Sequence, residues 1–158
     1  MKLLFKQRLF SWFDSYDIYN EYGEAVFRVE GKVSWGHRLE ISNAQGQVLG
    51  TVQQKFLAFL PQFFLLDENG QEIGLLRKEF TLFKPRFQLD CNGWNIQGNW
   101  LGWDYQITDP AGRCVMQASK QLLNWTDTYT MDIQNEQDAL LCVMVVLAID
   151  AANCTEGN

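Results

Sequence analysis

The amino-acid sequence predicts a mostly β protein: a closed twelve-stranded antiparallel barrel around one hydrophobic C-terminal helix. Two observations carry this. A hairpin unit recurs along the first 133 residues, and the run from Asp138 to Asp150 places eleven apolar residues between two carboxylates. Composition narrows the alternatives. A chain of 158 residues, 47% apolar and 14% aromatic with three prolines, has the makings of one folded domain over 1–158 and not of a disordered segment.

Each hairpin unit opens with apolar residues at i and i+2: Tyr16/Ile18, Leu39/Ile41, Phe63/Leu65, Phe87/Leu89, Tyr105/Ile107 and Tyr129/Met131, in steps of 23, 24, 24, 18 and 24 residues. A glycine follows the first member by six or seven positions in five of them (Gly23, Gly46, Gly70, Gly93 and Gly112), with an aliphatic residue three further on. Alternating strand, polar loop, glycine and second strand is a hairpin in which glycine supplies positive φ. Asn20-Glu-Tyr-Gly23, Asn43-Ala-Gln-Gly46, Asp67-Glu-Asn-Gly70 and Asp109-Pro-Ala-Gly112 fit a type I turn followed by a left-handed glycine and a bulge. Between units, segments such as Arg8-Leu-Phe-Ser-Trp12, Lys32-Val-Ser-Trp35, Lys55-Phe-Leu-Ala-Phe59, Glu79-Phe-Thr-Leu-Phe83 and Gln121-Leu-Leu-Asn-Trp125 form corners with an aromatic residue.

One strand from Leu3 to Phe10, two from each of five hairpins and one from Tyr129 to Ile133 make twelve. Such a sheet curls shut to remove its edges, and is then too wide for its own side chains to fill. The apolar run supplies the filling. Eleven residues at about 1.5 Å each make a rod of roughly 16 Å, far short of the roughly 30 Å of a bilayer core, so the sequence predicts a core helix over 136–151 and no transmembrane segment. Asn135 is the expected N-cap, with Glu136 and Asp138 at the positive end of the helix dipole. Leu140, Val143, Met144, Val146, Leu147 and Ile149 are expected to be buried.

Residues 1–120 hold all thirteen Lys and Arg against thirteen acids, and 121–158 hold six acids and no base, giving a net charge of −6. That balance counts against nucleic-acid binding. The start, Met1 to Phe10, is interrupted by Lys6, Gln7 and Arg8 and does not read as a signal peptide. Cys91, Cys114, Cys142 and Cys154 lack C-x-x-C spacing, which fits reduced thiols and a cytoplasmic location.

With the repeat in view, the sequence resembles the LURP-one-related proteins, which share the Tubby C-terminal-like fold with Tubby and the phospholipid scramblases. The residues carrying the resemblance are Phe5-Lys-Gln-Arg-Leu-Phe-Ser11, Val29-Glu-Gly-Lys32, Gln54-Lys-Phe-Leu-Ala-Phe-Leu-Pro61, Lys78-Glu-Phe-Thr-Leu-Phe-Lys-Pro-Arg86, Trp103-Asp-Tyr105, Trp125-Thr-Asp-Thr-Tyr129 and Val145-Val-Leu-Ala-Ile-Asp150. The resemblance implies a twelve-stranded barrel around a hydrophobic C-terminal helix, and a bacterial-type member. Tubby's lipid-binding bases have no matching positions in this sequence, so no residue role is carried over.

Motifs for catalysis are missing. One histidine, His37 in a corner expected to be exposed, supports neither a triad nor a multi-histidine metal site, and Asp67-Glu-Asn-Gly70 is two residues short of a calcium loop. No catalytic residue, metal or cofactor is expected. Asp127, Asp132, Glu136 and Asp138 read as turn and helix-start residues. Trp94, Trp100 and Trp103 could stack a ligand, although the stretch 87–112 contains no base and tryptophans more often cover a barrel. Arg77, Lys78, Lys84 and Arg86 form the densest basic run, and strand alternation lets Arg77, Lys84 and Arg86 reach one patch. The function expected is a non-enzymatic binding or scaffold domain for an unidentified protein partner. The alternative is a module for a phosphoinositide or other anionic lipid headgroup, held by those three bases.

Overall fold

A computed structural model of the chain describes residues 1–5, 15–80, 85–99, 101–123 and 126–154. Alternation builds β1 (Lys2–Phe5), β2 (Ser15–Asn20), β3 (Ala25–Ser34), β4 (Gly36–Ser42), β5 (Val48–Gln54) and β6 (Gln62–Asp67). It continues through β7 (Glu72–Phe80), β8 (Pro85–Asp90), β9 (Asn95–Asn99), β10 (Asp104–Thr108), β11 (Cys114–Leu123) and β12 (Thr126–Ile133). A 3₁₀ turn over Glu136–Asp138 leads into α1 (Ala139–Cys154). The twelve strands form one sheet in the order β8-β7-β6-β5-β4-β3-β2-β1-β12-β11-β10-β9, every pair antiparallel, with β1 and β12 joining the two ends of the chain. Of the first strand expected over Leu3 to Phe10, the part to Phe5 lies in β1, and 6–10 lie outside the described residues.

Four turns match their sequences closely. In each, the Asn or Asp at the head (20, 43, 67 and 109) accepts two backbone N–H bonds through Oδ1, from the residues two and four further on. Gly23, Gly46, Gly70 and Gly112 adopt φ between 78° and 81°, and the ladder slips by one residue beside each turn. The side chain thus fixes the turn and the glycine accepts the left-handed backbone.

The fourth unit departs from the pattern, and the barrel is therefore nearly closed, with one seam: no backbone ladder joins β8 to β9. Its glycine comes six residues after Phe87 instead of seven, so Asp90 falls on the opposite side of the pleat from the other turn heads. There its carboxylate accepts from Arg77 Nη2 at 3.1 Å, and Asn92 takes over the Trp94 N–H at 3.3 Å. The two strands leave this turn without pairing.

Inside, α1 behaves as its composition requires. Val143, Met144, Val145, Val146 and Ala148 have no exposed surface, Leu147 and Ile149 have almost none, and the barrel contributes Leu3, Phe5, Ile18, Val29, Ile41, Leu65, Ile107 and Met131 around them. Asn135 caps the 3₁₀ turn, its Oδ1 accepting from Gln137 N–H. Two details differ from expectation. Leu140 is only half-buried, since the first turn of α1 sits at the barrel mouth, and the helix continues through a buried Asp150 to Cys154.

The helix lies closest to β5, β6 and β7. Gly50 explains the approach to β5, because a Cβ there would stand 3.2 Å from Met144 Sδ and 3.1 Å from the Leu66 carbonyl. Gly50→Val pushes a branched side chain against both, and is expected to lower stability by about 1–3 kcal/mol. Chemical denaturation checks it; an unchanged midpoint would show that α1 does not rest on β5.

Candidate functional site

Antiparallel alternation gives the barrel two chemically distinct ends. The glycine turns lie at one end, together with Met1, whose N–H and C=O exchange hydrogen bonds with Ile133, and the start of α1. The connections β3–β4 and β5–β6 lie at the other.

At that second end two loops meet. The end of β3 carries Val33, the β3–β4 turn carries Trp35, and the β5–β6 connection carries Phe56, Leu57 and Phe59. These side chains are 88%, 83%, 56%, 88% and 98% exposed, in a protein whose other large apolar residues are mostly buried. The loops are held together at their bases. The Trp35 and Phe56 rings meet edge to face at 5.8 Å, His37 N–H reaches Gln54 Oε1 at 3.4 Å, and a Cβ on Gly36 would touch the Gln54 carbonyl at 3.0 Å. Lys55 N–H bonds to Gln62 O at 2.8 Å and Lys78 N–H to Pro61 O at 3.0 Å, pinning the long loop to its strands. Leu57 has φ 60°, a left-handed conformation that strains a leucine, and its side chain points into solvent. Five large apolar side chains exposed on two adjoining segments exceed the scattered single apolar residues that a folded surface ordinarily carries.

Sequence reasoning read these segments as corners with an aromatic residue between hairpins, and did not single out the patch. Lys55-Phe-Leu-Ala-Phe-Leu-Pro61 carried the signal: five apolar residues in a connection between strands, where polar turn residues are the rule.

The basic run is dispersed. Arg77 lies on the outer face of β7 and is paired with Asp90, Lys78 turns inward with Nζ 5.8 Å from the Phe87 ring centre, and Lys84 lies outside the described residues. Arg86 is exposed on β8 directly opposite Glu79, beside a surface cavity of about 370 Å³ at the seam that also includes Leu89 and Trp94. Arg77 and Arg86 therefore share the outer face, each with a carboxylate neighbour. Two of the three candidate stacking tryptophans are core: Trp94 and Trp103 are buried, and Trp103 packs on Tyr129 at 4.5 Å. Trp100 lies outside the described residues. His37 is half-buried, against the expected exposure, and burial lowers its pKa. Asp104 borders a shallow outer hollow of about 450 Å³ with Gln97, Gln106 and Gln117, while Lys120 lies over the Tyr129 ring.

Comparison with known proteins adds a family to this geometry. Residues 1–150 match the LURP-one-related family. The chain belongs to that family. It is 32% identical over 152 residues to YxjI, an uncharacterized protein of Bacillus subtilis, covering 95% of this chain and 92% of that one. It is also similar in structure to a protein from Arabidopsis thaliana, with a TM-score of 0.61 at 15% identity over 95% of this chain and 91% of the other. At that identity the likeness concerns the fold. No described helix of this LURP-one-related chain is long and apolar enough to cross a membrane.

The interior of the LURP-one-related barrel also holds titratable groups. The hydroxyls of Tyr16 and Tyr105 are buried and make no hydrogen bond in the structure. Burial, reinforced by the charge of Asp150, raises both pKa values well above the ordinary tyrosine value. Burial likewise raises the Cys142 thiol, with help from Asp138. Cys91, Cys114 and Cys142 are free thiols, and Cys114 alone of the three is exposed.

The tyrosines carry a pH signature. Their folded pKa values exceed the unfolded value of about 10, so their contribution is intact below pH 10 and is lost as pH rises beyond it. Denaturation midpoints should fall above about pH 10, with tyrosinate absorbance from these two residues appearing only with unfolding. A Tyr105→Phe variant should lose less stability between pH 9 and 11 than the wild type; equal losses would contradict the assignment.

Proposed function

We propose that this domain is a non-enzymatic binding module whose working surface is the apolar end formed by Val33, Trp35, Phe56, Leu57 and Phe59. The observation that carries the reading is the exposure of those five side chains on two braced loops, beside a core that α1 already fills. Apolar side chains left in water at a strained loop cost stability, and association is the event that returns it. Catalysis has less support, since among the described residues no nucleophile, base and orienting group converge in either surface hollow. The alternative, headgroup capture by Arg77, Lys84 and Arg86, also has less support. Arg77 is already paired with Asp90 and Arg86 faces Glu79.

Site-specific photo-crosslinking in cells tests the reading. A photoreactive amino acid at Phe59 is expected to give discrete adducts, whereas the same group at Asn69, on a glycine turn at the opposite end, gives none. Equal labelling from both positions, or none from either, would remove the apolar end as a binding surface.

A further inference from the structure

We infer that the apolar end is a bilayer-docking face: Trp35, Phe56, Leu57 and Phe59 enter the headgroup region of an anionic membrane, with the barrel standing on that end. The inference rests on the binding reading above and specifies its partner.

Exposure is the first support. Among the described residues, the apolar groups sit on two loops and are exposed, Phe59 and Leu57 most of all. A folded protein partner would need a surface matched to both loops, whereas a fluid bilayer accommodates them without a preformed complement. Aromatic rings with cationic side chains just behind them are the arrangement that suits a membrane interface, where each finds its own depth. Here Lys55 follows that layout, its Nζ lying 5.8 Å from the Phe64 ring centre at the root of the long loop.

Charge is the second, independent support. From Gly31 to Leu39 and from Val52 to Leu66 the chain has three bases, Lys32, Arg38 and Lys55, and no acid. The turns at 20–24, 67–72 and 134–138 at the opposite end hold seven carboxylates and no base. Glu79 and Asp104 also lie at the apolar end, and Lys2 and Arg113 at the other, so the contrast is between these two loops and those three turns. A strand of seven residues such as β4, tilted in a barrel, separates the ends by roughly 17 Å, about twice the Debye length of about 8 Å at physiological salt. Standing on its apolar end, the domain keeps those seven carboxylates beyond electrostatic reach of an anionic surface. Lys32 and Arg38 pair with Glu30 and Glu40 one step down the strands, so the electrostatic part is modest and apolar insertion carries most of the affinity.

The backbone at Leu57 is the third. A leucine held at φ 60° and left in solvent is costly in the unbound domain. Leu57→Gly relieves the strain, so it is expected to fold at least as stably as wild type while binding membranes less.

Flotation of the intact chain with vesicles of phosphatidylcholine plus phosphatidylserine, or of phosphatidylcholine alone, at low and high salt, tests the inference. Wild type is expected to float with the anionic vesicles and to float less at high salt. Phe56→Ser/Phe59→Ser is expected to lower partitioning at least about tenfold, the scale of removing two inserted rings, and Lys55→Glu to remove most of the salt sensitivity. Brominated lipid should quench tryptophan fluorescence in the wild type and not in Trp35→Phe. No flotation at low salt, or flotation that the loop variants leave unchanged, would overturn the bilayer assignment. If flotation fails while a photoreactive group at Phe59 still captures discrete proteins in cells, the binding surface stands and its partner is a protein. If both fail, the surface itself is lost.

Discussion

The whole structure depends on the packing of one helix with no polar face against the inside of a sheet. Twelve strands enclose a space that their own inward side chains do not fill, and α1, apolar on every side, has no stable place in water. Each solves the problem of the other. The contact at Gly50, with Met144 closer than ordinary van der Waals distance to where a side chain would begin, shows how tightly the two surfaces are matched. Once the interior is filled in this way, an up-and-down barrel leaves only the outer sheet face and the two rings of connections facing outward.

The two rings have been built for different purposes. At one end, Asn20, Asn43, Asp67 and Asp109 use their side chains to close tight turns, and the connections are short, polar and self-satisfied. At the other, the chain from Lys55 to Pro61 is long and apolar, braced against the β3–β4 turn through Trp35, and strained at Leu57. Stability considered alone would favour polar turns at both ends. The departure from that rule coincides with the greatest exposure of apolar side chains, the usual relation between local strain and function.

Much of the fold was legible in the sequence because its signals are local and repeated. The i, i+2 pairs, the turn heads and the glycines each point to the same hairpin, and Asp138 and Asp150 bracket a run apolar on every side and short for a bilayer, which favours a core helix. The seam was legible in principle. The single-residue shortening before Gly93 moves Asp90 across the pleat, but its consequence depends on Arg77 waiting on the neighbouring strand, which only the folded register reveals. The candidate site was harder to read for a similar reason. An aromatic residue in a corner looks the same in sequence whether it packs inward, as Trp103 does, or outward, as Trp35 does. The basic run misled in the opposite sense: Arg77, Lys78 and Arg86 are adjacent in sequence or on paired strands, but carboxylates from Asp90 and Glu79 lie among them and Lys78 faces the interior.

The central claim is that α1 stays inside the barrel while the apolar loops do the binding. Residue-resolved hydrogen exchange, with and without anionic vesicles, measures both halves at once. The amides of α1 are expected to exchange only through global unfolding, as slowly as those of β4 and β5, in either condition. New protection on adding vesicles should be confined to 33–37 and 55–60. Faster exchange in α1 when vesicles are present, with the loops unchanged, would show that the helix leaves the barrel to meet the membrane, and would contradict the claim.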